Sequence, residues 1–413
     1  MSLDWLSLEP DALRAAPALI VGFLAAGAIT LAATPIVRRY ARRSGMVDRP
    51  EARRVNKKAI ARGGGVAILL GFVIVSVALL VANSVIGMHF VDRPQIVTRP
   101  KTVALLGGAV LAVGIGLLDD WYQLRARWQF FGQFLLAGVA VALGIAVTSI
   151  NDPFAAKGTL LLSDLPISDV VIVVATFIWI VGMINSMNFI DGLDGLSSGI
   201  ALIAAVTLGF ISLTADPIQP YVAMFCFVLA GALAGFLRWN FHPASIFAGT
   251  SGIMLMGYVL AVLSILGSAK IAVAALVLGV PIIDTFWIIV RRVATGRSPS
   301  SPDRGHIHHR LLDLGLSHRG TVLVIYAVCL LLAMLSIVVS SGTGQMYAFM
   351  GLAVVFGLAL LLIERLSDRP VDGSESAADG EADGAADGAA DGEAGEADGE
   401  AEGAADGEAG ERG

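Results

Sequence analysis

Charged residues are scarce in this chain of 413 residues. They make up 15% of it, whereas an ordinary soluble domain has about 25%. Hydrophobic residues make up 56%, and the mean hydropathy is +0.77. This balance excludes a soluble globular domain and a fibrous protein. Cysteine is also rare, since only Cys226 and Cys329 are present, each within an apolar run. Two isolated thiols exclude a disulfide framework and a cysteine metal cluster, and we interpret both as small packing residues.

The few charges are distributed unevenly. The formal net charge of −6 combines a body, residues 1–370, of net charge +8 with a tail, residues 371–413, of fifteen acidic residues and one basic residue. The tail repeats Ala, Asp, Gly and Glu and has no aromatic side chain. It therefore cannot bury enough apolar surface to offset its chain entropy. We expect a membrane-embedded domain over 1–370 and a disordered, solvated tail without a catalytic role over 371–413.

Long apolar runs dominate the body. A membrane span needs about 20 mainly apolar residues to cross roughly 30 Å of hydrocarbon. Eleven runs fit this description, and none resembles a cleavable signal peptide. The eleven runs are 17–37, 64–86, 102–118, 128–148, 169–187, 195–214, 221–238, 251–268, 270–290, 321–341 and 345–364. The sequence predicts an all-α, polytopic integral membrane protein with about 11 transmembrane helices. Gly231 and Gly235 form a G-x-x-x-G pattern, typical of internal helix packing or, alternatively, of a homodimer interface.

Basic residues in the connecting loops predict the orientation. When alternate loops are assigned to two sides, one side receives 21 Lys and Arg residues and the other receives six. Short cytoplasmic loops collect Lys and Arg, so we expect the side with 21 to be cytoplasmic. The N-terminus is then outside and the C-terminus inside. We expect a multi-pass protein of the plasma membrane, with no nucleic-acid partner.

Two adjacent carboxylates, Asp119 and Asp120, stand at the end of the third predicted span. Neighbouring carboxylates repel each other, so the pair suits a site that binds a cation. Oxygen ligands favour Mg²⁺ or Mn²⁺ over zinc. A solvated helix terminus is the alternative interpretation.

Four polar residues recur at every third position at the end of the fifth predicted span: Asn185, Asn188, Asp191 and Asp194. Steps of three residues drift slowly around a helix, so these side chains follow one broad face. Two amides and two carboxylates make an oxygen-rich site for a metal, a sugar or a phosphate–metal complex. Packing explains them poorly, because each is costly when it faces lipid.

A loop rich in histidine and arginine precedes the tenth predicted span. Residues 303–310 include Arg304, His306, His308 and His309. Arginine matches phosphate oxygens and imidazoles add further donors, which favours phosphate binding. A zinc cluster of the three histidines and a basic loop without a specific role are the alternatives.

All of these groups lie on the side that the loop charges assign to the cytoplasm. Arg62, in the basic loop 38–63, lies there too. Asp284 also lies on this side and is a further candidate for a functional carboxylate; the alternative is that it forms an ion pair with Arg291 or Arg292. Carboxylates for a metal, cations for phosphates and access from the bilayer suit a reaction between a soluble phosphorylated donor and a lipid phosphate.

These motifs resemble those of the polyprenyl-phosphate N-acetylhexosamine-1-phosphate transferases, particularly the N-acetylglucosamine branch. The resemblance covers roughly residues 17–366. The motifs that carry it are D-D-x-x-x-L at 119–124, N-S-M-N-F-I-D-G-L-D-G-L at 185–196, D-R-P at 48–50 with R-G-G-G at 62–65, and H-I-H-H at 306–309.

The resemblance implies a reaction and its partners. UDP-N-acetylhexosamine and an undecaprenyl or decaprenyl phosphate, with Mg²⁺ or in its place Mn²⁺, are expected to give polyprenyl-diphospho-sugar and UMP. This is the first lipid-linked step of cell-wall or surface glycan synthesis. The resemblance also implies residue roles. These are a metal site of Asn188, Asp119 and Asp120, catalytic roles for Asp119, Asp120, Asp191 and Asp194, and substrate binding by Asn185, Arg62, Arg304, His306, His308 and His309.

One position departs from the family pattern. The turn at 247–257 usually reads F-x-G-D-x-G-S, and the resemblance implies that its Asp binds the metal. Here Thr250 stands at that position and Ile253 replaces the Ser. A hydroxyl is a poorer Mg²⁺ ligand than a carboxylate. A neighbouring carboxylate that replaces it, a lower metal affinity and a catalytically weak relative are the alternatives.

A transporter or lipid flippase is the competing function, because intramembrane carboxylates also mark ion pathways. Transport sites usually lie near the middle of the membrane, whereas these residues gather at one side.

Overall fold

The computed structural model describes residues 10–48, 59–151, 159–165, 167–214, 217–267, 270–294, 306–339 and 342–367. The chain divides into two compact units, Met1–Leu358 and Ala359–Gly413. The fold below is that of the first unit; residues 359–367 of the second are helical. Arg304 and the predicted tail 371–413 lie outside the described residues, so the expected boundary at 370 stays a prediction.

Helices carry the apolar runs. The thirteen helices of the described chain are α1 Pro10–Arg43, α2 Gly65–Ser84, α3 Arg99–Tyr122, α4 Ala126–Ala142, α5 Ser168–Ile190, α6 Leu196–Thr214, α7 Pro220–Asn240, α8 Gly249–Leu266, α9 Lys270–Val277, α10 Gly279–Ala294, α11 Ile307–Asp313, α12 His318–Val338 and α13 Gly342–Ser367. Within the described residues, eight helices are long and apolar enough to cross a membrane, and the bent pair α9 and α10 is a ninth candidate. A polytopic, mainly helical membrane protein is thereby confirmed. The number eleven and the orientation stay predictions.

The predicted ninth span, 270–290, is not one straight helix. α9 ends at Val277, and α10 continues from Gly279 after a bend of 80°. Pro281 explains the position of the bend. A proline lacks the N–H that bonds to the carbonyl four residues earlier, and its ring collides with that carbonyl. The residue four positions before Pro281 is Val277, where α9 ends.

Two short hairpins lie between helices, and the sequence patterns do not predict them. β1 (Val47–Asp48) pairs with β2 (Ile60–Ala61), and β3 (Ser149–Asn151) pairs with β4 (Thr159–Leu161), both antiparallel. Ala61 also forms a parallel bridge with Ile246. Ala61, shortly before α2, therefore lies against the connection between α7 and α8.

α7 and α8 form the centre of the bundle: 83% and 89% of their spanning windows are buried, against 22% in α1. Glycines permit the closest crossings. A Cβ atom at Gly231 or Gly235 would collide with backbone oxygens of α1, those of Phe23 and Gly27. Small residues allow such approach between helices in lipid. The G-x-x-x-G pattern is thus used within the chain, which confirms the internal packing role. A homodimer stays an untested alternative without this motif to support it.

α3 crosses α8 in the same way. A Cβ atom at Gly116 would collide with the backbone of Ser251, and one at Gly108 with the ring of Tyr258. Because Gly116 lies one turn before Asp119 and Asp120, this crossing brings both carboxylates to the beginning of α8.

Candidate active site

A cavity of about 380 Å³ lies at the end of the bundle where α5 and α7 end and α6, α8 and α12 begin. The residues that line it are Asp48, Arg62, Asn188, Asp191, Gly192, Leu193, Asp194, Asn240, Phe247, Gly249, Thr250, Ile253, His309 and His318. Connections that are distant in the sequence therefore meet at one site, and acidic, basic and amide groups face the same space.

Asn188 and Asp191 stand where α5 ends, one helical turn apart, and both face the cavity. The Ser197 hydroxyl, at the beginning of α6, donates a hydrogen bond to Asp191 Oδ1. Burial raises the pKa of Asp191 to about 7, against the opposing effects of that hydrogen bond and of the charge on Arg62. A cation in the cavity would offset this cost of burial, because an opposite charge favours the carboxylate form.

Asn185 does not share this position. Its Nδ2 donates hydrogen bonds to Gln133 Oε1 at 2.7 Å and to Val181 O at 2.8 Å, and it is absent from the cavity wall. The predicted face of four residues thus divides. Asn185 holds α5 against α4 one turn deeper, whereas Asn188, Asp191 and Asp194 reach the cavity. The substrate-binding role of Asn185 stays a prediction.

Asp194 is buried in the turn between α5 and α6 and contacts two histidines. Its Oδ2 lies 2.7 Å from His242 Nδ1 and accepts a hydrogen bond from the Ala244 N–H at 3.0 Å. Its own N–H donates to His318 Nε2 at 3.0 Å. The rings of His242 and His318 stack with centroids 4.1 Å apart.

Asp120 accepts hydrogen bonds from the beginning of α8. Its Oδ1 accepts from the Thr250 N–H at 2.8 Å, and its Oδ2 accepts from the N–H and hydroxyl of Ser251 at 3.1 and 2.7 Å. A carboxylate in this position satisfies free N–H groups and interacts favourably with the helix dipole. Gly249, at φ +70°, lies so close to Asp120 that a Cβ atom there would collide with the carboxylate. Asp120 therefore fixes the turn that precedes α8.

Asp119 joins the same region to the connection after α3. Its Oδ1 accepts from the Leu124 N–H at 2.9 Å and from Gln129 Nε2 at 2.8 Å. Its Oδ2 accepts from the hydroxyl of Thr250. Both carboxylates of the pair are buried, and neither is part of the cavity wall.

A divalent cation fits part of the predicted metal site. Mg²⁺ is usually held by one or two carboxylates, waters and the oxygens of substrate phosphates. Asn188 and Asp191 offer such oxygens at the cavity. Asp119 and Asp120 could join only by sharing oxygens that already accept hydrogen bonds from α8, Leu124 or Gln129. Their metal and catalytic roles stay predictions.

The H-I-H-H segment is held by Asp284 of α10. Asp284 Oδ2 lies 2.8 Å from His306 Nδ1, and its Oδ1 accepts from the Ile307 N–H at 3.0 Å. The His306 ring stacks on Phe189, with centroids 5.6 Å apart. Asp284 is 1% exposed, so this buried carboxylate fixes the beginning of α11 beside the end of α5.

The next two histidines have different environments. His308 is 1% exposed, and a Cβ atom at Gly192 would collide with its ring. Burial, with smaller contributions from neighbouring histidines, lowers the pKa of His308 to about 2, so the ring is neutral. His309 lines the cavity, as does Arg62, whose Nη2 lies 2.6 Å from Asp48 Oδ1. Of the predicted substrate-binding residues, Arg62 and His309 reach the cavity, whereas His306 and His308 pack behind it.

His242 and His318 are absent from the residues that the sequence patterns single out. Each is an isolated histidine, one just after α7 and one at the beginning of α12. The one signal in the sequence was that His242 and His318 lie at the ends of predicted spans on the basic side of the membrane, the side that also carries the H-I-H-H segment. A single histidine at a helix end is common, so this signal is weak without the tertiary contact to Asp194.

Comparison with known proteins identifies the class. The model of glycosyl transferase family 4 matches residues 102–268, which contain the D-D-x-x-x-L and N-S-M-N-F-I-D-G-L-D-G-L motifs. A probable undecaprenyl-phosphate N-acetylglucosaminyl 1-phosphate transferase of Bacillus subtilis is 35% identical over 351 residues, which are 83% of this chain and 90% of the relative. The chain therefore belongs to glycosyl transferase family 4.

Two further relatives carry similar names. A decaprenyl-phosphate N-acetylglucosaminephosphotransferase of Mycolicibacterium smegmatis is 36% identical over 378 residues, 85% of this chain and 89% of the relative. An undecaprenyl-phosphate alpha-N-acetylglucosaminyl 1-phosphate transferase of Thermotoga maritima is 30% identical over 329 residues, 79% of this chain and 91% of the relative. The similarity therefore extends well beyond the matched family segment.

Proposed function

We propose that this protein transfers N-acetylglucosamine-1-phosphate, or a related N-acetylhexosamine-1-phosphate, from the UDP-sugar to a polyprenyl phosphate. The products are polyprenyl-diphospho-sugar and UMP. The observation that carries the proposal is the cavity at one end of the bundle, whose wall includes Asn188, Asp191, Arg62 and His309. The names of the relatives support the substrate class.

The residues around the cavity have complementary tasks in this reaction. Arg62 and His309 bind phosphate oxygens of the donor, since a guanidinium and an imidazole donate hydrogen bonds that match them. Asn188 and Asp191 hold Mg²⁺ or Mn²⁺, which supplies positive charge to the diphosphate when bound. The lipid phosphate oxygen bonds to the β-phosphorus of the donor, and the bond from that phosphorus to UMP breaks. Positioning and charge neutralisation carry most of the catalysis in such transfers.

The membrane arrangement follows from the loop charges. We infer eleven spans, an outside N-terminus, a cytoplasmic C-terminus and an active site at the cytoplasmic face of the plasma membrane. The excess of 21 basic residues over six supports this orientation. Residues of three connections line one cavity, which supports a single active face; they are Asp48 and Arg62 before α2, 191–194 before α6 and Phe247 before α8.

The direct experiment measures UMP release by the full chain in detergent. Undecaprenyl phosphate and UDP-N-acetylglucosamine are supplied with Mg²⁺, and UDP-N-acetylgalactosamine tests the epimer. We expect UMP and lipid-linked sugar in equal amounts, no turnover in excess EDTA and a strong loss in Asp191→Asn. Asp92→Asn, an exposed carboxylate between α2 and α3, is the matched control and should behave as the unmodified protein.

Three outcomes would contradict the proposal. Full activity in excess EDTA rejects the requirement of the transfer for a divalent cation. No UMP from either UDP-sugar, with folded protein, rejects the transferase activity. Movement of labelled polyprenyl phosphate across vesicles without UMP release favours the flippase alternative.

A further inference from the structure

Three side chains from separate connections converge beside the cavity. Asp194 comes from the turn between α5 and α6, His242 from the residues after α7, and His318 from the beginning of α12. One ligand atom of each, a carboxylate oxygen or an imidazole nitrogen, lies within 4.8 Å of those of the other two. Among the described residues, this is the one group of three His, Cys, Asp or Glu side chains close enough to share an ion.

We propose that Asp194, His242 and His318 bind a divalent transition-metal ion, of the Mn²⁺, Co²⁺ or Zn²⁺ class, at a site distinct from the Asn188 and Asp191 site for Mg²⁺. This inference goes beyond the proposed transfer reaction. It concerns an ion held by the protein alone, before any substrate binds.

The ligand chemistry selects the class of ion. Imidazole nitrogen is a good ligand for zinc and other first-row transition metals, whereas Mg²⁺ and Ca²⁺ prefer carboxylate, carbonyl and water oxygens. Two imidazoles and one carboxylate also occur together in catalytic zinc sites, where a further position stays open to water or substrate. Asp194 and His318 both line the cavity, so the open position would face it.

The adjustment needed for binding is small. Asp194 Oδ2 and His242 Nδ1 are 2.7 Å apart, whereas two ligands about 2.1 Å from one ion stand roughly 3.0–3.5 Å apart in octahedral or tetrahedral geometry. The contact would therefore open by less than about 1 Å. Of the two nitrogens of His318, Nε2 accepts from the Asp194 N–H, and the buried Nδ1 has no hydrogen-bond partner among the described residues. Because Nδ1 has no hydrogen bond to lose, the bond from the Asp194 N–H to Nε2 is the one described side-chain hydrogen bond that His318 would give up on binding an ion.

Outer contacts already orient the ligands. The Ala244 N–H donates to Asp194 Oδ2, and Arg319 Nε donates to the His242 carbonyl oxygen at 3.1 Å. Such supporting hydrogen bonds hold metal ligands in place and strengthen binding. His242 is partly exposed while Asp194 is buried, which gives the ion a path of entry and a shielded position.

The test is metal content. The full chain, purified in detergent without a histidine tag, is dialysed against Zn²⁺, then against metal-free buffer, and its zinc is counted by mass spectrometry. We expect about one ion per chain, a loss of most of it in His242→Ala and in His318→Ala, and a tetrahedral or five-coordinate spectrum when Co²⁺ replaces Zn²⁺. His89→Ala, an exposed histidine between α2 and α3, controls for adventitious binding by histidine and should keep the ion.

His309→Ala separates this site from the H-I-H-H segment and should also keep the ion. Loss of zinc in His309→Ala, with retention in His242→Ala, would move the site to that segment and overturn the proposal. Zinc below about a tenth of an ion per chain in the folded, unmodified protein would overturn it as well. Circular dichroism of each variant establishes that the helices are intact, so that a loss of metal is not a loss of fold.

Discussion

Thr250→Asp places a carboxylate against Asp119. The Thr250 hydroxyl donates a hydrogen bond to Asp119 Oδ2, and the Thr250 N–H donates to Asp120 Oδ1. The substitution keeps the backbone bond but replaces the donor hydroxyl by an acceptor. In the absence of a cation, two negative charges then stand within hydrogen-bonding distance in a buried turn.

The magnitude follows from the charges and the pH. Two unit charges 4 Å apart repel by about 4 kcal/mol at an effective dielectric constant of about 20. The new carboxyl escapes this repulsion by taking up a proton, at about 1.4 kcal/mol for each pH unit above its ordinary pKa of about 4. Either route costs about 4 kcal/mol at pH 7. Because the proton is bound more tightly in the folded protein, this loss of stability grows as the pH rises and shrinks as the pH falls towards 5. Thr250→Val removes only a hydrogen bond to a charged group, about 1.5–3 kcal/mol.

The assay is thermal unfolding in detergent, with and without Mg²⁺. In EDTA at pH 7 we expect a fall in apparent Tm for Thr250→Asp that exceeds the fall for Thr250→Val, and a smaller difference between the two at pH 5.5. Mg²⁺ should restore the apparent Tm of Thr250→Asp but not that of Thr250→Val. The Thr250→Asp protein should also need less Mg²⁺ than the unmodified protein for half-maximal UMP release. Thr250→Asp as stable as the unmodified protein in EDTA would refute the contact with Asp119. An unchanged or weaker Mg²⁺ response would reject the view that Thr250 leaves the site short of a ligand.

Further substitutions test the remaining assignments. Asp119→Asn and Asp194→Asn should each slow UMP release at least tenfold, about 1.4 kcal/mol; near-normal turnover in both, at normal expression, would leave them structural roles only. Removal of 371–413 should leave folding and turnover nearly intact, because its charge is screened beyond roughly 8–10 Å; a truncated chain that fails to insert would contradict this. Asp284→Ala should raise the KM for the UDP-sugar more than it lowers kcat. Asp284→Asn, which keeps an acceptor for the Ile307 N–H, should have a KM between those of the unmodified protein and Asp284→Ala. Equal effects on KM and kcat would show that Asp284 does not position the donor site.

Hydropathy predicts the helices of this chain well because a span is a local property. Each of the eleven apolar runs contains helical residues in the described chain. The bend at 278 was also present locally, in Pro281, but the direction in which the second half turns depends on packing. The hairpin of β1 and β2 has only two residues in each strand, too few for an alternating pattern to appear.

The repeat of polar residues at the end of α5 predicts the cavity only in part. Successive i,i+3 steps rotate by about 60°, so the first and last members of the run cannot face the same point. Asn185 accordingly contacts Gln133 of α4, while Asp194 lies beyond the end of the helix and contacts His242. Periodicity gives the face of a helix, but the position where the helix ends decides which members reach the cavity.

The histidine contacts were beyond sequence patterns. Asp194 meets His242 across 48 residues and His318 across 124. No spacing rule connects such residues, because their distance is set by how α5, α7 and α12 pack. Adjacent carboxylates were also ambiguous. Asp119 and Asp120 are neighbours in the chain, yet their partners differ: the beginning of α8 holds Asp120, whereas Leu124 and Gln129 also hold Asp119.

The carboxylates at this end of the bundle divide according to their partners, and this division has mechanistic consequences. Asp119, Asp120 and Asp284 each accept two or more hydrogen bonds that join one helix to the beginning of another segment. Their removal leaves buried donors unsatisfied, which costs stability as well as rate. Asp191 has one described hydrogen bond, through Oδ1, and faces the cavity. Its carboxylate is therefore available to a cation or substrate, and its conversion to Asn should slow the reaction while the fold stays about as stable, because the Asn side-chain oxygen can still accept the hydrogen bond from Ser197.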